Sequence, residues 1–144
     1  MTVPCFVDAN VLVYAHNPAE PQKRQVARDL LQELWAGFRG RTSIQVLNEF
    51  YNVVTRKLSA PKGRAEAWAE VEEFFLWNPQ QLDPELLQRA RQIEARYKLS
   101  WWDSLIVAAA QLQGCSVLYT EDLQHGATFD GVRVVNPFIS QVQE

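Results

Sequence analysis

The most constraining feature of this 144-residue chain is the alternation of short apolar runs with longer segments of helical periodicity. Residues 3–7, 116–120 and 132–135 are short and rich in β-branched or aromatic side chains, as buried strands are. Apolar residues at three- and four-residue spacing fill the segments between them. Strands that alternate with helices predict a mainly parallel sheet with helices on both faces, a three-layer α/β/α fold.

Five helices are predicted, over about residues 21–37, 45–58, 62–76, 85–97 and 102–113. The last is nearly all apolar and closes at Gly114, so we expect it to be buried. Weak strands are predicted at 41–44 and 81–82. The apolar sides of the first and third helices are expected to carry Val26, Leu30, Leu31 and Leu34, and Trp68, Val71, Phe74 and Phe75, respectively.

Length and composition indicate one globular domain over residues 1–144, with 47% hydrophobic and 22% charged residues. The longest apolar stretch, residues 105–110, is too short to span a membrane, and the N-terminus lacks the basic region of a secretory signal. We therefore expect a cytoplasmic protein without a membrane partner. Cys5 and Cys115 lie in apolar runs and are predicted to be buried free thiols, with a disulfide between them as the alternative.

The net charge of −3 does not indicate nucleic-acid binding by the molecule as a whole. Two local groups of basic residues are typical of solvated faces and matter only if they flank a functional site. They comprise Lys23, Arg24 and Arg28, and Arg56, Lys57, Lys62 and Arg64.

Four apolar segments end on, or carry, a carboxylate: Asp8, Glu49, Asp103 and Asp122. Asp8 and Asp122 each follow a predicted strand, and sites in open parallel sheets form beyond the carboxyl ends of the strands. If those two strands are neighbours, the two carboxylates reach the same crevice.

Each carboxylate also has a structural interpretation. Asp8 fits the N-cap of a helix beginning near residue 10, and Asp103 fits a capping box with Ser100. Asp122 is typical of a turn. Glu49 lies too deep in its helix to be a cap and is expected on the apolar side, where a salt bridge to an arginine is the alternative to a functional role.

Other polar residues near these segments are less specific. Asn10 and Thr120 could orient a carboxylate or a metal-bound water, or belong to turns. Glu121 is expected to be solvated. His16 and His125 lie in polar loop contexts and are expected at the surface rather than in a metal site.

Four carboxylates gathered together require a cation, since two of them about 4 Å apart repel by roughly 4 kcal/mol at an effective dielectric constant near 20. A ligand set of oxygen atoms, without histidine or cysteine, favours Mg²⁺ or Mn²⁺. Such ions orient a phosphate and make a bound water nucleophilic. The pattern therefore indicates phosphodiester chemistry.

Four segments resemble the PIN-domain ribonucleases when taken together in this order: DANVLVYA (8–15), NEFYNV (48–53), SWWDSLIVAAA (100–110) and LYTEDLQHG (118–126). Within that family the chain is most similar to the VapC-type toxins of bacterial toxin–antitoxin pairs. The resemblance covers essentially the whole chain.

The resemblance implies a Rossmann-like α/β/α fold and Mg²⁺- or Mn²⁺-dependent cleavage of RNA by metal-activated water. The family's catalytic and metal-binding acids correspond to Asp8, Glu49, Asp103 and Asp122, and its supporting polar residues to Asn10 and Thr120. It also implies a homodimer and a partner antitoxin.

Two other functions compete with this one. A metal-dependent phosphatase of the haloacid-dehalogenase type also uses an aspartate after the first strand, but it needs a second aspartate where this chain has Asn10. A regulatory binding module that merely holds a structural ion is the non-enzymatic alternative.

Overall fold

A computed structural model describes residues 3–139, which contain a mainly parallel five-stranded sheet in the order β2-β1-β3-β5-β4. Strand β1 pairs in parallel with β2 and β3, β3 pairs in parallel with β5, and only β4 runs antiparallel to its neighbour β5. The predicted three-layer α/β fold is confirmed. The strands are β1 (Cys5–Val7), β2 (Gly40–Arg41), β3 (Val117–Tyr119), β4 (Thr128–Phe129) and β5 (Val132–Val135).

All five predicted helices are present with bounds shifted by at most a few residues. A sixth, the short α1, was not predicted; it begins directly after the first strand. The helices are α1 (Ala9–Tyr14), α2 (Pro21–Ala36), α3 (Ile44–Arg56), α4 (Arg64–Phe74, followed by the 3₁₀ turn Phe75–Trp77), α5 (Pro84–Tyr97) and α6 (Trp101–Leu112). None of these described helices is both long and apolar enough to cross a membrane.

Helix α6 is the most deeply buried helix, as its composition predicts. Every residue from Ser104 to Ala110 is buried. Its small side chains let α5 and the strands β3 and β5 pack closely against it. Because α6 is fixed on several sides, the residues of its first turn have a well-defined position.

The two weak strands are shorter than predicted, although the chain does end a strand at the first of these places. The segment expected at 41–44 is the two-residue strand β2, and it stops because Ser43 caps α3 by accepting a hydrogen bond from Val46 N at 3.2 Å. The segment expected at 81–82 is only an isolated bridge between Ser43 and Gln80. Asp83 then caps α5, which turns the chain away from the sheet edge.

Three side chains expected on apolar helix faces are exposed. Val26, Trp68 and Phe75 are 39%, 48% and 46% exposed. Each is adjacent in sequence to a buried residue, and one step along a helix turns a side chain by about 100°. The buried stripes are therefore narrower than predicted, and comprise Ala27, Leu31 and Leu34 in α2, and Ala67, Val71 and Phe74 in α4.

Both cysteines are buried free thiols, as predicted. Burial raises the pKa of Cys115 to about 12, so this thiol stays protonated.

Candidate functional site

The pairing of β1 with β3 brings the ends of two distant segments together. Val7 is in register with Tyr119, and the backbone N–H of Asp8 donates to the carbonyl of Tyr119 at 3.0 Å. Asp8 and Thr120, which follow these two residues, therefore lie side by side at the carboxyl edge of the sheet. The two predicted strands are therefore neighbours in the sheet, as the expectation of a shared crevice required.

The fully buried hydroxyl of Thr120 is the centre of the hydrogen-bond network at this edge. It donates to Asp8 Oδ2 at 2.9 Å and accepts from Asn10 Nδ2 at 3.0 Å and from the backbone N–H of Asp122 at 3.1 Å. A hydroxyl has one donor and two acceptor positions, and all three are used. The direction of every bond is therefore fixed.

Asn10 joins the two aspartates from the other side. Its Nδ2 also donates to Asp122 Oδ2 at 3.2 Å, and its Oδ1 accepts from the backbone N–H of Glu121 at 3.3 Å. Asn10 and Thr120 thus hold Asp8 and Asp122 in one polar network, which is the supporting arrangement that the sequence suggested.

Asp8 is buried, with 7% of its surface exposed. The pKa of its carboxyl is raised to about 7, mainly by burial and to a smaller extent by the negative charges of Asp122 and Glu49. Hydrogen bonds from Ala9 N and Thr120 act in the opposite direction. The bond from Ala9 N to Oδ1, at 2.7 Å, makes Asp8 the N-cap of α1, so capping and membership of the site coincide.

Glu49 lies on α3 and is exposed, so its predicted place on the buried side of this helix was wrong. The buried stripe of α3 runs through Val46, Phe50 and Val54, and Glu49 stands at the edge of that stripe. Within residues 3–139 its side chain has no hydrogen bond or ion pair, so the alternative of a salt bridge to an arginine is also wrong. Partial burial and the charge of Asp122 raise its pKa, whereas Lys57 lowers it.

Asp103 lies in the first turn of α6. Its backbone N–H donates to Ser100 Oγ at 3.1 Å, which confirms Ser100 as the N-cap. The reciprocal bond of a capping box, from the Asp103 side chain to the N–H of Ser100, is not made within the described chain. The carboxylate of Asp103 is therefore not required for capping.

The charges of these acids act on one another. Partial burial raises the pKa of Asp122, and the neighbouring negative charges of Glu121 and Asp103 raise it further. No lysine or arginine of residues 3–139 forms an ion pair with Asp8, Glu49, Asp103 or Asp122. This edge of the sheet consequently carries an excess of negative charge that a cation would relieve.

The donor chemistry fits a hard divalent cation, because all four candidate ligands are carboxylates. As these side chains stand, no three acidic, histidine or cysteine residues in the described range converge closely enough to hold one ion together. Glu49 and Asp103 have no hydrogen bonds to break, so their side chains can change rotamer on binding. The residues therefore fit a hard ion in charge and donor type, although the side chains do not converge on one point as they stand.

A second polar cluster was missed by the sequence prediction. Glu121 is not solvated as expected; its carboxylate accepts a hydrogen bond from the Tyr14 hydroxyl at 2.7 Å and forms an ion pair with Lys23 Nζ at 3.1 Å. Lys23 also donates to the Tyr14 hydroxyl at 3.2 Å. The cluster joins α1, α2 and the turn after β3, and its members are too far apart in sequence for any local pattern to reveal it.

His16 was expected at the surface, but its side chain is only 13% exposed and its Nε2 lies 3.0 Å from Glu70 Oε2. The ring also packs against Phe50. Burial against α3 and pairing with α4 explain the difference. His125 is exposed as predicted.

An open groove adjoins the acids, between α1, α3 and the turn after β3. The carboxylates on its wall belong to Glu49, Glu121 and Asp122. The rest of its lining is uncharged and is formed by Asn10, Val13, Tyr14, Asn17 and Val53.

Residues 5–128 match the family model of the PIN domain. No curated protein sequence matches the chain significantly.

Several solved structures share the fold. A toxin–antitoxin complex from Klebsiella pneumoniae is 19% identical, with a TM-score of 0.65, over 93% of this chain and 98% of that one. VapC20 from Mycobacterium tuberculosis, described as a toxin that cleaves the sarcin–ricin loop, is 20% identical, with a TM-score of 0.58, over 82% of this chain and 89% of that one. FitAB bound to a DNA fragment is 21% identical, with a TM-score of 0.69, over 92% of this chain and 94% of that one.

Proposed function

Because the chain belongs to the PIN domain family, we propose that it is a Mg²⁺- or Mn²⁺-dependent endoribonuclease and the toxin of a type II toxin–antitoxin pair. Structural neighbours at this level of identity share the fold, and the proposal goes beyond the fold. It draws support from the acidic edge of the sheet and from the toxins among those neighbours.

One observation carries the proposal. Thr120 and Asn10 bind Asp8 and Asp122 into a fixed network, while Glu49 and Asp103 stand nearby without any bond that would explain them. The charge of Glu49 raises the pKa of Asp8, and the charge of Asp103 raises the pKa of Asp122, so both acids lie close to the network. With no hydrogen bond or ion pair of their own within residues 3–139, they are available to bind a ligand together with Asp8 and Asp122.

We propose that Asp8, Glu49, Asp103 and Asp122 hold the cation. When bound, the ion would polarise a phosphate oxygen of RNA and lower the pKa of an attacking water. The Thr120 hydroxyl holds Asp8 in place, and the Asn10 amide holds Asp122, through their hydrogen bonds. Glu49 and Asp122 line the groove, where the RNA would approach the cation.

The proposed partners are an antitoxin and a second copy of the chain. An apolar groove beside α3 and α4 is lined by Leu47, Tyr51, Trp68, Val71 and Phe75. Trp68 of α4 and Phe75 of the 3₁₀ turn that follows are about half exposed. A surface of this kind is suited to a protein partner. Co-expression with the small protein of the neighbouring reading frame should relieve the growth arrest that this chain causes alone.

The central test is cleavage of a structured RNA with and without Mn²⁺. We expect cleavage by the wild type only with the metal, and a loss of about a hundredfold or more in Asp8→Asn and Asp103→Asn. Asp29→Asn is the matched control, since it removes one exposed carboxylate on α2, and it should cleave normally.

Cleavage that persists in both site variants, or none in the wild type, would contradict the proposal. Hydrolysis of p-nitrophenyl phosphate by the same set of proteins tests the phosphatase alternative. In that alternative the residue at position 10 must supply a proton, whereas the amide of Asn10 is committed to hydrogen bonds with Thr120, Asp122 and Glu121.

A further inference from the structure

One wall of the groove beside the acids is uncharged. Val13 and Val53 are half-buried apolar residues, and Tyr14 and Asn17 add an aromatic ring and an amide. Lys23, which lies against the Tyr14 ring, is paired with Glu121 at 3.1 Å. None of Val13, Tyr14, Asn17 and Val53 carries a charge, so this wall itself suits an uncharged group with apolar faces.

Tyr14 is held in one position. Its hydroxyl donates to Glu121 and accepts from Lys23, and its ring packs edge-on against Phe138 with centroids 4.9 Å apart. The Lys23 ammonium lies 4.6 Å from the centre of the Tyr14 ring and covers one of its faces. Because Tyr14 lines the groove and its ring is held in place, it can contact a planar ligand there at little entropic cost.

Asn17 supplies a polar group beside the ring. Its Oδ1 accepts from the backbone N–H of Ala19 at 3.1 Å, whereas its Nδ2 has no partner within residues 3–139. The side chain is therefore oriented by the loop and presents two N–H donors. Donors at this place can form hydrogen bonds with a ring nitrogen or a carbonyl oxygen of a nucleobase.

We propose that Tyr14, Asn17, Val13 and Val53 form a subsite for one unpaired nucleobase next to the cleaved phosphate. The base stacks on Tyr14, its edge is read by Asn17, and its ribose-phosphate chain continues to the acids. The inference rests on the proposed function because it assigns one part of the RNA substrate. A base within a duplex cannot enter such a groove, so the subsite selects RNA that is unpaired at the cut.

Uncharged nucleosides test the subsite without metal and without cleavage. Saturation-transfer NMR with adenosine, guanosine, cytidine and uridine should show millimolar binding to the wild type, and deoxyribose 5-phosphate, which lacks a base, should show none. Tyr14→Leu should weaken nucleoside binding at least about fivefold, the lower limit for loss of one base–aromatic stack.

Two variants separate stacking from general damage. Tyr14→Phe keeps the ring and should bind nucleosides within about threefold of the wild type, and an unchanged circular-dichroism melting curve shows that Tyr14→Leu is folded. Tyr51→Leu removes a tyrosine that lines the other groove, beside α3 and α4, and should bind as the wild type does. Asn17→Ala should reduce the difference in affinity among the four nucleosides.

The outcomes distinguish this inference from the proposed function. Absence of nucleoside binding to the wild type, or equal losses in Tyr14→Leu and Tyr51→Leu, would overturn the subsite even if RNA is cleaved. Nucleoside binding that depends on Tyr14, in a protein that cleaves no RNA, would overturn the nuclease and leave the subsite standing. A substrate series with a single abasic residue should show one position, beside the cut, at which cleavage falls at least about fivefold.

Discussion

Individual residues at the acidic edge combine structural roles with a place in the candidate site. Asp8 caps α1 and accepts a hydrogen bond from Thr120, yet it also carries a charge that burial disfavours. Thr120 uses its whole hydrogen-bonding capacity to hold Asp8, Asn10 and the turn at Asp122. A side chain with three committed bonds has little tolerance for substitution.

The stability of the metal-free protein should depend on the protonation of Asp8. Its pKa is raised from 3.8 to about 7, so between these values the folded chain holds a proton that the unfolded chain has lost. The free energy of unfolding therefore falls as the pH rises from about 4 to 7, by about 1 kcal/mol per pH unit from this group. Urea unfolding in EDTA at several pH values measures this slope.

Asp8→Asn should remove most of that slope, and Asp29→Asn should leave it unchanged. The raised pKa values of Glu49 and Asp122 act in the same direction, so part of the slope should survive in Asp8→Asn. Identical slopes in Asp8→Asn and the wild type would show that Asp8 is ionised throughout.

Thr120→Val should destabilise the fold by about 1–3 kcal/mol, because Asp8 Oδ2 loses its partner in a buried place. The shape of the side chain is almost unchanged, so lost packing contributes little. Thr128→Val, at an exposed position on β4, is the control and should change the unfolding free energy by less than about 0.5 kcal/mol. Equal effects of the two substitutions would contradict the role given to the Thr120 hydroxyl.

At the scale of elements, most of the fold was predictable from local patterns. Helices α2 to α6 follow from apolar periodicity and from caps such as Ser100, and β1, β3 and β5 follow from short apolar runs. The two-residue strands were not predictable, because β2 and β4 depend on their partners in the sheet. Helix α1 was missed because six residues carry too little periodicity.

The cap of α6 should contribute to stability separately from the acid that follows it. Ser100→Ala removes the acceptor of the Asp103 N–H and should lower the free energy of unfolding by about 1 kcal/mol. Asp103→Asn keeps this backbone bond and should leave stability within about 0.5 kcal/mol of the wild type. Chemical denaturation of both variants at pH 8 makes the comparison. A larger loss in Asp103→Asn than in Ser100→Ala would mean that the carboxylate has a structural role.

At the scale of the whole molecule, a divalent cation should stabilise the fold. An ion that binds only the folded chain adds about 2.7 kcal/mol at a hundred times its dissociation constant, which raises the melting temperature by several degrees. The shift with Mn²⁺ should be larger at pH 8 than at pH 6, because the ion competes with the proton on Asp8.

Differential scanning calorimetry at both pH values, with and without Mn²⁺, measures this shift. The double variant Asp8→Asn, Asp103→Asn should show none, and Asp29→Asn should behave as the wild type does. A Mn²⁺ shift of unchanged size in the double variant would place the ion elsewhere on the molecule.

The sequence by itself determined the α/β fold, the buried α6 and the cap at Ser100, and it singled out the four acids as candidates, since each depends on residue type and short spacing. The tertiary structure alone decided which polar groups meet. The bonds of Thr120 with Asp8 and Asn10 and of Glu121 with Tyr14 and Lys23 join residues about a hundred positions apart. Such contacts depend on strand order and register, which single-chain periodicity does not encode. For the same reason the exposed position of Glu49 and the nature of the groove beside it became visible only in three dimensions.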